Sequence, residues 1–371
     1  MRAVGVILAG GNNQRLENLT SLSGRAVAAM PVGSGYRAID FPLSNMTNSG
    51  IRKVAVITQF NSSSLYDHLS SAKWWDLGRK KGGLFLFSPY STSYGSASFR
   101  GTSNAMWQNK KFFERSNEEY VIITSGDSIY KMDFNDIISH HIEKGNDITL
   151  AYKKVTNVDV RNFGVLELDD NEHVVDFEEK PLETSLNTVS LGIYCIQRKL
   201  LLELLDTTNS EGRYDFVRDI ITRYRKVLKL GGYRFDSYWT TLNSVSAYYQ
   251  ANMDFLNEDI RNFFTKQSPY IATKPRDEPP AKYNSGAQVR SSLVGGGSIL
   301  DGRVENSVLF SNVYVGEGSI VKNSIIMSGT HIGSNCIIEN AILDKVTKVN
   351  DGVSILGSSE RPLIIEKGRM M

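Results

Sequence analysis

The chain has 371 residues, of which 22% are charged, and a formal net charge of +2. This length predicts one large domain and a smaller one, and the near-neutral charge argues against a nucleic-acid-binding protein. The two cysteines, Cys195 and Cys336, are too few for a disulfide framework or a cysteine metal site and fit a reducing compartment. Because no apolar run is long enough to cross a bilayer, we expect a cytoplasmic protein without membrane contact.

The first predicted element is a buried strand, because residues 3–9 form a continuous apolar run. Gly10 and Gly11 end this run, and Arg15 follows. Glycine lets the backbone approach an anion closely, and arginine supplies a forked cation. A glycine turn after the first strand is where open α/β sheets bind nucleotide phosphates, although an ordinary turn with a surface arginine explains these residues equally well.

Strands and helices then alternate over the first two-thirds of the chain. The pattern predicts strands at 54–58, 120–124 and 148–152, and helices at 63–70, 134–144, 198–205, 215–224 and 244–256. Strands separated by helices predict a Rossmann-like α/β domain with a mostly parallel sheet. We interpret residues 74–98 as a long mobile loop, either simply solvated or serving as a substrate lid or anion-effector contact.

The composition shifts to Pro, Lys, Arg, Asp and Glu over residues 269–280, which predicts a linker. Beyond it, apolar residues recur every five or six positions, at Ala287, Leu293, Ile299, Val304, Leu309, Val315, Ile320, Ile326, Ile332, Ile337 and Ile342. This period predicts a left-handed parallel β-helix with these residues pointing inward, and an irregular β-sandwich is the alternative. We therefore expect a nucleotidyltransferase-like domain at 1–260, a linker at 261–284 and a β-helix at 285–371.

Several motifs resemble the ADP-glucose pyrophosphorylase family, also called glucose-1-phosphate adenylyltransferase. The matching segments are IDFPLSN at 39–45, SGDSIYKMD at 125–133, FEEKP at 177–181, SLGIY at 190–194 and YDF at 214–216. The resemblance implies a nucleotidyltransferase domain followed by a left-handed β-helix. It also implies adenylyl transfer from ATP to glucose 1-phosphate, with Mg²⁺ as the cofactor.

The resemblance also assigns site residues by position. The sugar-phosphate residues are Glu179, Lys180, Ser190, Tyr194, Asp215, Phe216 and Trp239. The nucleotide residues are Gly10, Gly11 and Arg15, and Asp127 is the first metal ligand. Without the motifs, core packing would explain Tyr194, Phe216 and Trp239, and an ion pair with Glu178 or Glu179 would explain Lys180.

The nucleotide half of the family pattern is incomplete. The departures are Asn13 for a glycine, Asn18 for a proline, Val27 for a phosphate-binding lysine, Ser128 for a histidine and Thr241 for the second metal-binding aspartate. Arg25 could replace the lost lysine only if its loop shifts. Magnesium with one of its two carboxylates replaced by a hydroxyl should be held poorly, so Mg²⁺ binding by this chain is doubtful.

We therefore expect a catalytically impaired, GlgD-type regulatory subunit that forms a hetero-oligomer, expected to be a tetramer, with a catalytic subunit and retains a hexose-phosphate site. Three alternatives remain. The first is an active adenylyltransferase that uses other ligands, such as Asp236 or, with a moved loop, Arg15. The second is a sugar-phosphate sensor or a structural subunit that binds no nucleotide. As a third alternative, His331 in the repeats serves an acyltransferase, although this histidine is predicted to point outward.

Overall fold

The sheet at the centre of the amino-terminal domain contains nine strands within the described residues. The computed structural model describes residues 3–11, 14–20, 23–78, 82–89, 98–156 and 159–371. The strands of this domain, including two small two-stranded sheets, are β1 Ala3–Leu8, β2 Pro31–Val32, β3 Tyr36–Arg37, β4 Lys53–Ile57, β5 Gly83–Phe87, β6 Tyr120–Ser125, β7 Ser128–Tyr130, β8 Ile148–Lys154, β9 Gly164–Leu168, β10 Val174–Glu179, β11 Thr188–Gln197, β12 Leu230–Arg234 and β13 Trp239–Thr241.

The strand order brings the ends of β1 and β6 together. The order is β10-β9-β11-β6-β1-β4-β5, and β8 joins β11 to β12. Strand β1 pairs in parallel with both β4 and β6, so the carboxyl ends of these strands lie at one edge of the sheet. Strand β11 runs antiparallel to β6, β8 and β9, which adds an antiparallel part to the parallel-rich sheet.

The interpretation of residues 74–98 as one mobile loop is wrong in part. Residues Gly83–Phe87 form β5, which pairs in parallel with β4 at the edge of the sheet. The side chain of Trp75 is 2% exposed and belongs to the core, where its indole Nε1 donates to the Ala272 carbonyl. Residues 79–81 and 90–97 lie outside the described residues.

Helices cover both faces of the sheet. They are α1 Glu17–Thr20, α2 Asp40–Asn48, α3 Ser63–Leu69, α4 Thr102–Gln108, α5 Lys110–Glu114, α6 Phe134–Lys144, α7 Arg198–Ser210, α8 Val245–Asp254 and α9 Glu258–Thr265. Local sequence explains the ends of α6, because Asp133 caps its first turn and Gly145 adopts the left-handed conformation after its last turn. The predicted helix at 215–224 contains a π-helical segment, Val217–Thr222.

The carboxyl-terminal domain is a left-handed parallel β-helix with three sheets of five strands in the described residues. Its strands are β14 Lys282–Tyr283, β15 Gln288–Arg290, β16 Leu293–Val294, β17 Ile299–Leu300, β18 Arg303–Glu305, β19 Val308–Leu309, β20 Tyr314–Val315, β21 Ile320–Lys322, β22 Ile325–Ile326, β23 His331–Ile332, β24 Ile337–Glu339, β25 Ala341–Leu343, β26 Lys348–Val349, β27 Ser354–Leu356 and β28 Leu363–Ile365. Equivalent strands stack in parallel, with Val304 beside Val321 and Val321 beside Ile338.

Some residues predicted to point into the β-helix do not. Ile299 and Ile337 are 40% and 43% exposed, whereas the next residues, Leu300 and Ile338, are buried. Ile342 packs against the amino-terminal domain rather than inside the coil. The same correction applies to Leu293, which packs against the apolar cluster that contains Ile342, and to Ile320, whose neighbour Val321 is the buried residue. Adjacent apolar residues in a short strand point to opposite sides, so an interval of five or six residues does not decide which one is inside.

The two domains pack against each other through one shared apolar cluster that includes Phe41, Tyr248, Phe310 and Met327. The hydroxyl of Tyr249 donates to the Asn323 carbonyl at 2.6 Å across this contact. The β-helix is therefore fixed to the amino-terminal domain by core-like packing. No helix in the described ranges is both long and apolar enough to span a membrane.

Candidate functional site

A cleft of about 1090 Å³ opens beside the carboxyl ends of β1 and β6. One wall comes from the glycine turn after β1, and the floor from the turn between β6 and β7. The opposite wall comes from residues 159–164, the end of β10, and parts of β11 and β13. Such a position, outside the carboxyl ends of parallel strands, is where open α/β sheets bind ligands.

Asp127 and Thr241 lie next to each other on the floor of this cleft. Strand β13 runs antiparallel to β7, which pairs Thr241 with Ser128. The Thr241 hydroxyl is 3.5 Å from Asp127 Oδ1, and the Ser125 hydroxyl also donates to this oxygen. Burial raises the pKa of the Asp127 carboxyl, although the hydrogen bonds from Ser125 and Thr241 oppose the increase. A carboxylate at position 241 would therefore lie close to Asp127.

Val27 also borders the cleft, in the 3₁₀ turn Val27–Ala29. Its side chain is 6% exposed and brings no charge to the wall. The suggested compensation by Arg25 does not occur, because its guanidinium points to the β-helix and pairs with Asp344 at 2.7 Å. This ion pair is almost completely buried between the two domains, so the Arg25 guanidinium is occupied there and does not serve the cleft. Asn18 lies in α1, and Asn13 lies outside the described residues.

Five of the seven predicted sugar-phosphate residues line the cleft: Glu179, Lys180, Ser190, Tyr194 and Trp239. Lys180 Nζ lies 3.5 Å from Glu179 Oε1, and the Lys180 side chain is 64% exposed. Desolvation raises the pKa of the Glu179 carboxyl, and the nearby Lys180 ammonium partly opposes this effect. The cleft thus carries a cation, a carboxylate and a hydroxyl from the end of β10 and from β11, and Trp239 of β13 adds an aromatic wall.

The other two predicted sugar-phosphate residues, Phe216 and Asp215, do not line the cleft itself. Phe216 is 1% exposed and packs on the Tyr194 ring at a centroid distance of 5.2 Å, so it supports the wall from the core. Asp215 lines an adjoining cavity of about 390 Å³, which shares Asp127 and Tyr194 with the cleft. Its Oδ1 accepts a hydrogen bond from the Arg218 backbone at 2.8 Å.

The predicted nucleotide residues occupy the glycine-turn wall. Gly11 and Arg15 line the cleft, and Gly10 lines the adjoining cavity. A Cβ at Gly10 would come within 3.2 Å of the Gln59 backbone nitrogen, which favours glycine there. The Arg15 guanidinium donates to the Asn162 side-chain oxygen across the cleft.

The sequence did not identify the wall at residues 159–163. This wall includes Asp159, Asn162 and Phe163. The Arg161 guanidinium donates to both carboxylate oxygens of Asp159, at 2.8 Å to Oδ1 and 2.9 Å to Oδ2. This short segment follows residues 157–158, which lie outside the described residues, and carries no glycine-rich or paired-carboxylate pattern. The Asp159–Arg161 pair and the aromatic Phe163 are the signals that could have marked it.

The donor set does not fit a magnesium site with two protein carboxylates. No group of three or more His, Cys, Asp or Glu side chains in the part of the chain that is described is arranged to hold a metal. On the floor of the cleft, Asp127 faces the Thr241 hydroxyl, a weaker ligand for a hard cation than a second carboxylate. Asp236, the suggested substitute, pairs with Arg234 at 2.9 Å, is 67% exposed and is not among the cleft residues.

His331 of the β-helix lies on the outer surface, as predicted from its position before Ile332. Its ring packs beside the Tyr314 ring at a centroid distance of 4.7 Å.

Comparisons with known proteins agree with this two-domain arrangement. The Nucleotidyl transferase family model matches residues 4–258, and the model for the GlmU-like, C-terminal hexapeptide matches residues 279–361. The similar relatives include proteins named glucose-1-phosphate adenylyltransferase. One from Halalkalibacterium halodurans is 39% identical over 86% of this chain and 83% of its own length. Those from Geobacillus stearothermophilus and Clostridium perfringens are 37% and 39% identical over 86% of this chain, and over 83% and 81% of their own lengths. With this similarity over both domains and a cleft in the expected place, the chain belongs to the glucose-1-phosphate adenylyltransferase family.

Proposed function

We propose that this chain is a catalytically impaired, regulatory subunit of a glucose-1-phosphate adenylyltransferase that modulates a catalytic subunit of the same family. The observation that carries the proposal is the contact between Asp127 and Thr241. At the position of the family's second metal-binding aspartate, the chain presents a hydroxyl 3.5 Å from the remaining carboxylate. The floor of the cleft therefore offers a metal ion half of the expected protein charge.

The absence of the family's phosphate-binding lysine at position 27 also supports impaired catalysis. Adenylyl transfer develops negative charge on the departing pyrophosphate, and cations must stabilise it. Val27 is apolar at the position of the expected lysine, and Arg25 is committed to Asp344. Each missing charged contact is expected to cost about 2–4 kcal/mol of transition-state stabilisation, or roughly two to three decades of rate.

The sugar-phosphate side of the cleft supports a binding function. Lys180, Glu179 and Ser190 line the cleft and can bind a phosphate and sugar hydroxyls, although the nucleotide side has valine in place of the lysine expected at position 27. A hexose phosphate such as glucose 1-phosphate is therefore the proposed ligand. Differential affinity for this ligand would let the chain bias a catalytic partner between less and more active states.

An independently active adenylyltransferase is the second candidate. It is favoured by the 39% identity to a relative with that name and by the presence of Asp127 in the cleft. In that case, a single protein carboxylate and the substrate phosphates would have to hold Mg²⁺, which binds proteins through one or two carboxylates.

Co-purification with a catalytic family member tests the proposal. We expect a hetero-oligomer, proposed to be a tetramer, whose turnover or effector response differs from that of the catalytic subunit alone. The control replaces the metal-binding aspartate of the catalytic subunit with asparagine, and all activity of the complex should then disappear. Separate elution with unchanged kinetics, or activity that survives in the control complex, would contradict the regulatory assignment.

A further inference from the structure

Asp215 lies directly before a helical segment, residues 216–224, that borders the cleft. Val217 of this segment lines both the cleft and the adjoining cavity. Burial raises the pKa of the Glu179 carboxyl, and the negative charge of Asp215 adds to this increase, so the two carboxylates lie near each other. Asp215 is therefore placed to accept a hydrogen bond from a sugar hydroxyl of a ligand in the cleft.

The Asp215 carboxylate uses its two oxygens differently. Oδ1 accepts a hydrogen bond from the Arg218 backbone N–H at 2.8 Å, which is the contact that an N-cap residue makes at the start of a helix. Within the described ranges of the chain, Oδ2 has no hydrogen-bond partner, so this oxygen can accept from a ligand. The direction of Oδ2 depends on how the backbone of residue 215 is held.

Asp219 holds this part of the backbone. Its Oδ2 accepts hydrogen bonds from the backbone N–H groups of Tyr214 at 3.0 Å and of Asp215 at 2.9 Å. Both N–H groups lie at the beginning of the helical segment, where no preceding helical turn supplies an acceptor. Because side chains on a helix point towards its amino-terminal end, a residue four positions after Asp215 can reach these two donors.

The Asp219 carboxylate is buried and remains charged. Its side chain is 2% exposed, and Oδ1 accepts a hydrogen bond from the Arg218 guanidinium at 3.1 Å. Burial by itself would raise the pKa of this carboxyl, but the hydrogen bonds from Arg218 and from the Asp215 and Tyr214 backbones outweigh burial and lower the pKa. Asp219 lines neither the cleft nor the adjoining cavity, so its contacts serve the chain and not a ligand directly.

Helix α4 supports the same turn from the other side. The Tyr214 carbonyl accepts a hydrogen bond from the Ser103 backbone at 2.8 Å, and the Thr102 hydroxyl accepts one from the Phe216 backbone at 2.8 Å. A Cβ at Gly101 would come within 2.4 Å of the Tyr214 oxygen, so the close approach of the two segments requires glycine there. Residues 214–216 are therefore held between α4 and the Asp219 carboxylate.

We propose that Asp219 is a positioning residue for the hexose-phosphate site, and that it acts through the backbone of residues 214 and 215 on the Asp215 carboxylate. This inference rests on the proposed hexose-phosphate ligand. Asp219 differs from the seven predicted sugar-phosphate residues because it is buried behind the site and makes no contact with the ligand. Without its carboxylate, two backbone N–H groups lose their acceptor, and Asp215 Oδ2 is no longer held in one direction.

Calorimetric titration of matched variants with glucose 1-phosphate tests this role. Asp219→Ala removes the acceptor and should weaken binding by at least about tenfold, the loss expected for one hydrogen bond from a ligand to a carboxylate. Asp219→Asn retains an acceptor oxygen for both N–H groups and should restore most of the affinity. Arg218→Ala is the exposed control, because it removes only the guanidinium from Asp219, and it should bind as the unsubstituted chain does.

Asp215→Ser shows whether Asp219 acts through Asp215, because serine can still serve as an N-cap but lacks the carboxylate. Adding Asp219→Ala to this variant should cause no further loss of affinity. Hydrogen exchange of the Tyr214 and Asp215 amides, measured without ligand, should become faster in Asp219→Ala but stay slow in Asp219→Asn. Thermal melting confirms that each variant is folded, and Asp219→Ser is a milder variant that should weaken binding in the same direction.

Three outcomes would overturn the positioning role: unchanged glucose 1-phosphate affinity in the folded Ala or Ser variant of Asp219, additive losses when Asp219→Ala and Asp215→Ser are combined, or unchanged exchange of the two amides. If the unsubstituted chain binds no glucose 1-phosphate, the proposed ligand is wrong as well. Binding by the unsubstituted chain that Asp219→Ala leaves unchanged would overturn the role of Asp219 alone and would leave the proposed function intact.

Discussion

Replacing Thr241 with aspartate should create a repulsive carboxylate pair that Mg²⁺ relieves. The Thr241 hydroxyl lies 3.5 Å from Asp127 Oδ1, so the new carboxylate and Asp127 would be separated by about 4 Å. At an effective dielectric constant of about 20, two negative charges at this distance repel by about 4 kcal/mol. Water in the open cleft and proton uptake by one carboxyl reduce this cost, and we expect a loss of about 1–3 kcal/mol in unfolding free energy.

Thermal melting with and without Mg²⁺ measures the effect. In a chelator, the melting temperature of Thr241→Asp should fall by about 2–6 °C relative to the unsubstituted chain. Mg²⁺ should recover most of the loss, because paired carboxylates form a ligand set that this cation accepts. The unsubstituted chain should respond much less to the cation.

Thr241→Asn is the matched control, because it has nearly the same shape as aspartate without the charge. The Asn variant should show neither the loss in chelator nor the recovery in Mg²⁺. Identical melting temperatures for the Asp and Asn variants under both conditions would refute the reasoning. Such a result would mean that position 241 does not share a metal-binding position with Asp127.

Three further predictions test binding and stability. Lys180→Ala should abolish glucose 1-phosphate binding in calorimetry while changing the unfolding free energy by at most about 1 kcal/mol. The control Lys226→Ala, at an exposed lysine, should leave binding intact. Burial lowers the pKa of His141 to about 4, so between pH 6.5 and about 4 this histidine is protonated in the unfolded chain but not in the folded one. The unfolding free energy should therefore fall as the pH drops through this range, and His141→Asn should flatten the dependence. Arg25→Met should lower the unfolding free energy in denaturant by about 3–5 kcal/mol, because it leaves Asp344 buried and unpaired. Adding Asp344→Leu should recover much of this loss, and a double variant whose loss equals the sum of the two single losses would contradict the prediction.

Periodicity and local signals predicted much of the fold. The apolar run at 3–9 and the helical spacing at 134–144 correspond to β1 and α6. The repeat period identified the β-helix but not the inward residue at Ile299 or Ile337, since both neighbours in a short strand can be apolar. Strand β5 was missed because its aromatic residues follow a glycine-rich, basic segment that resembles a loop, and only pairing with β4 reveals it.

The candidate site was predictable where motifs carried it. The segments containing Asp127 and Lys180 were identified by resemblance, and folding brings them to one cleft. Arg25 illustrates the limit of sequence reasoning: its partner, Asp344, is 319 residues away, so the direction of its side chain depends on domain packing.

The rate of ADP-glucose formation by the purified chain alone tests the central claim most directly. The chain is incubated with ATP, Mg²⁺ and glucose 1-phosphate, free of any partner, beside a catalytic relative under the same conditions. Because Val27 and Thr241 replace a cation and a metal ligand, we predict turnover at least about a thousandfold below that of the relative, and a gain when Val27→Lys and Thr241→Asp are combined. Turnover by the unsubstituted chain comparable to that of the relative would contradict the account and identify the chain as an independently active enzyme.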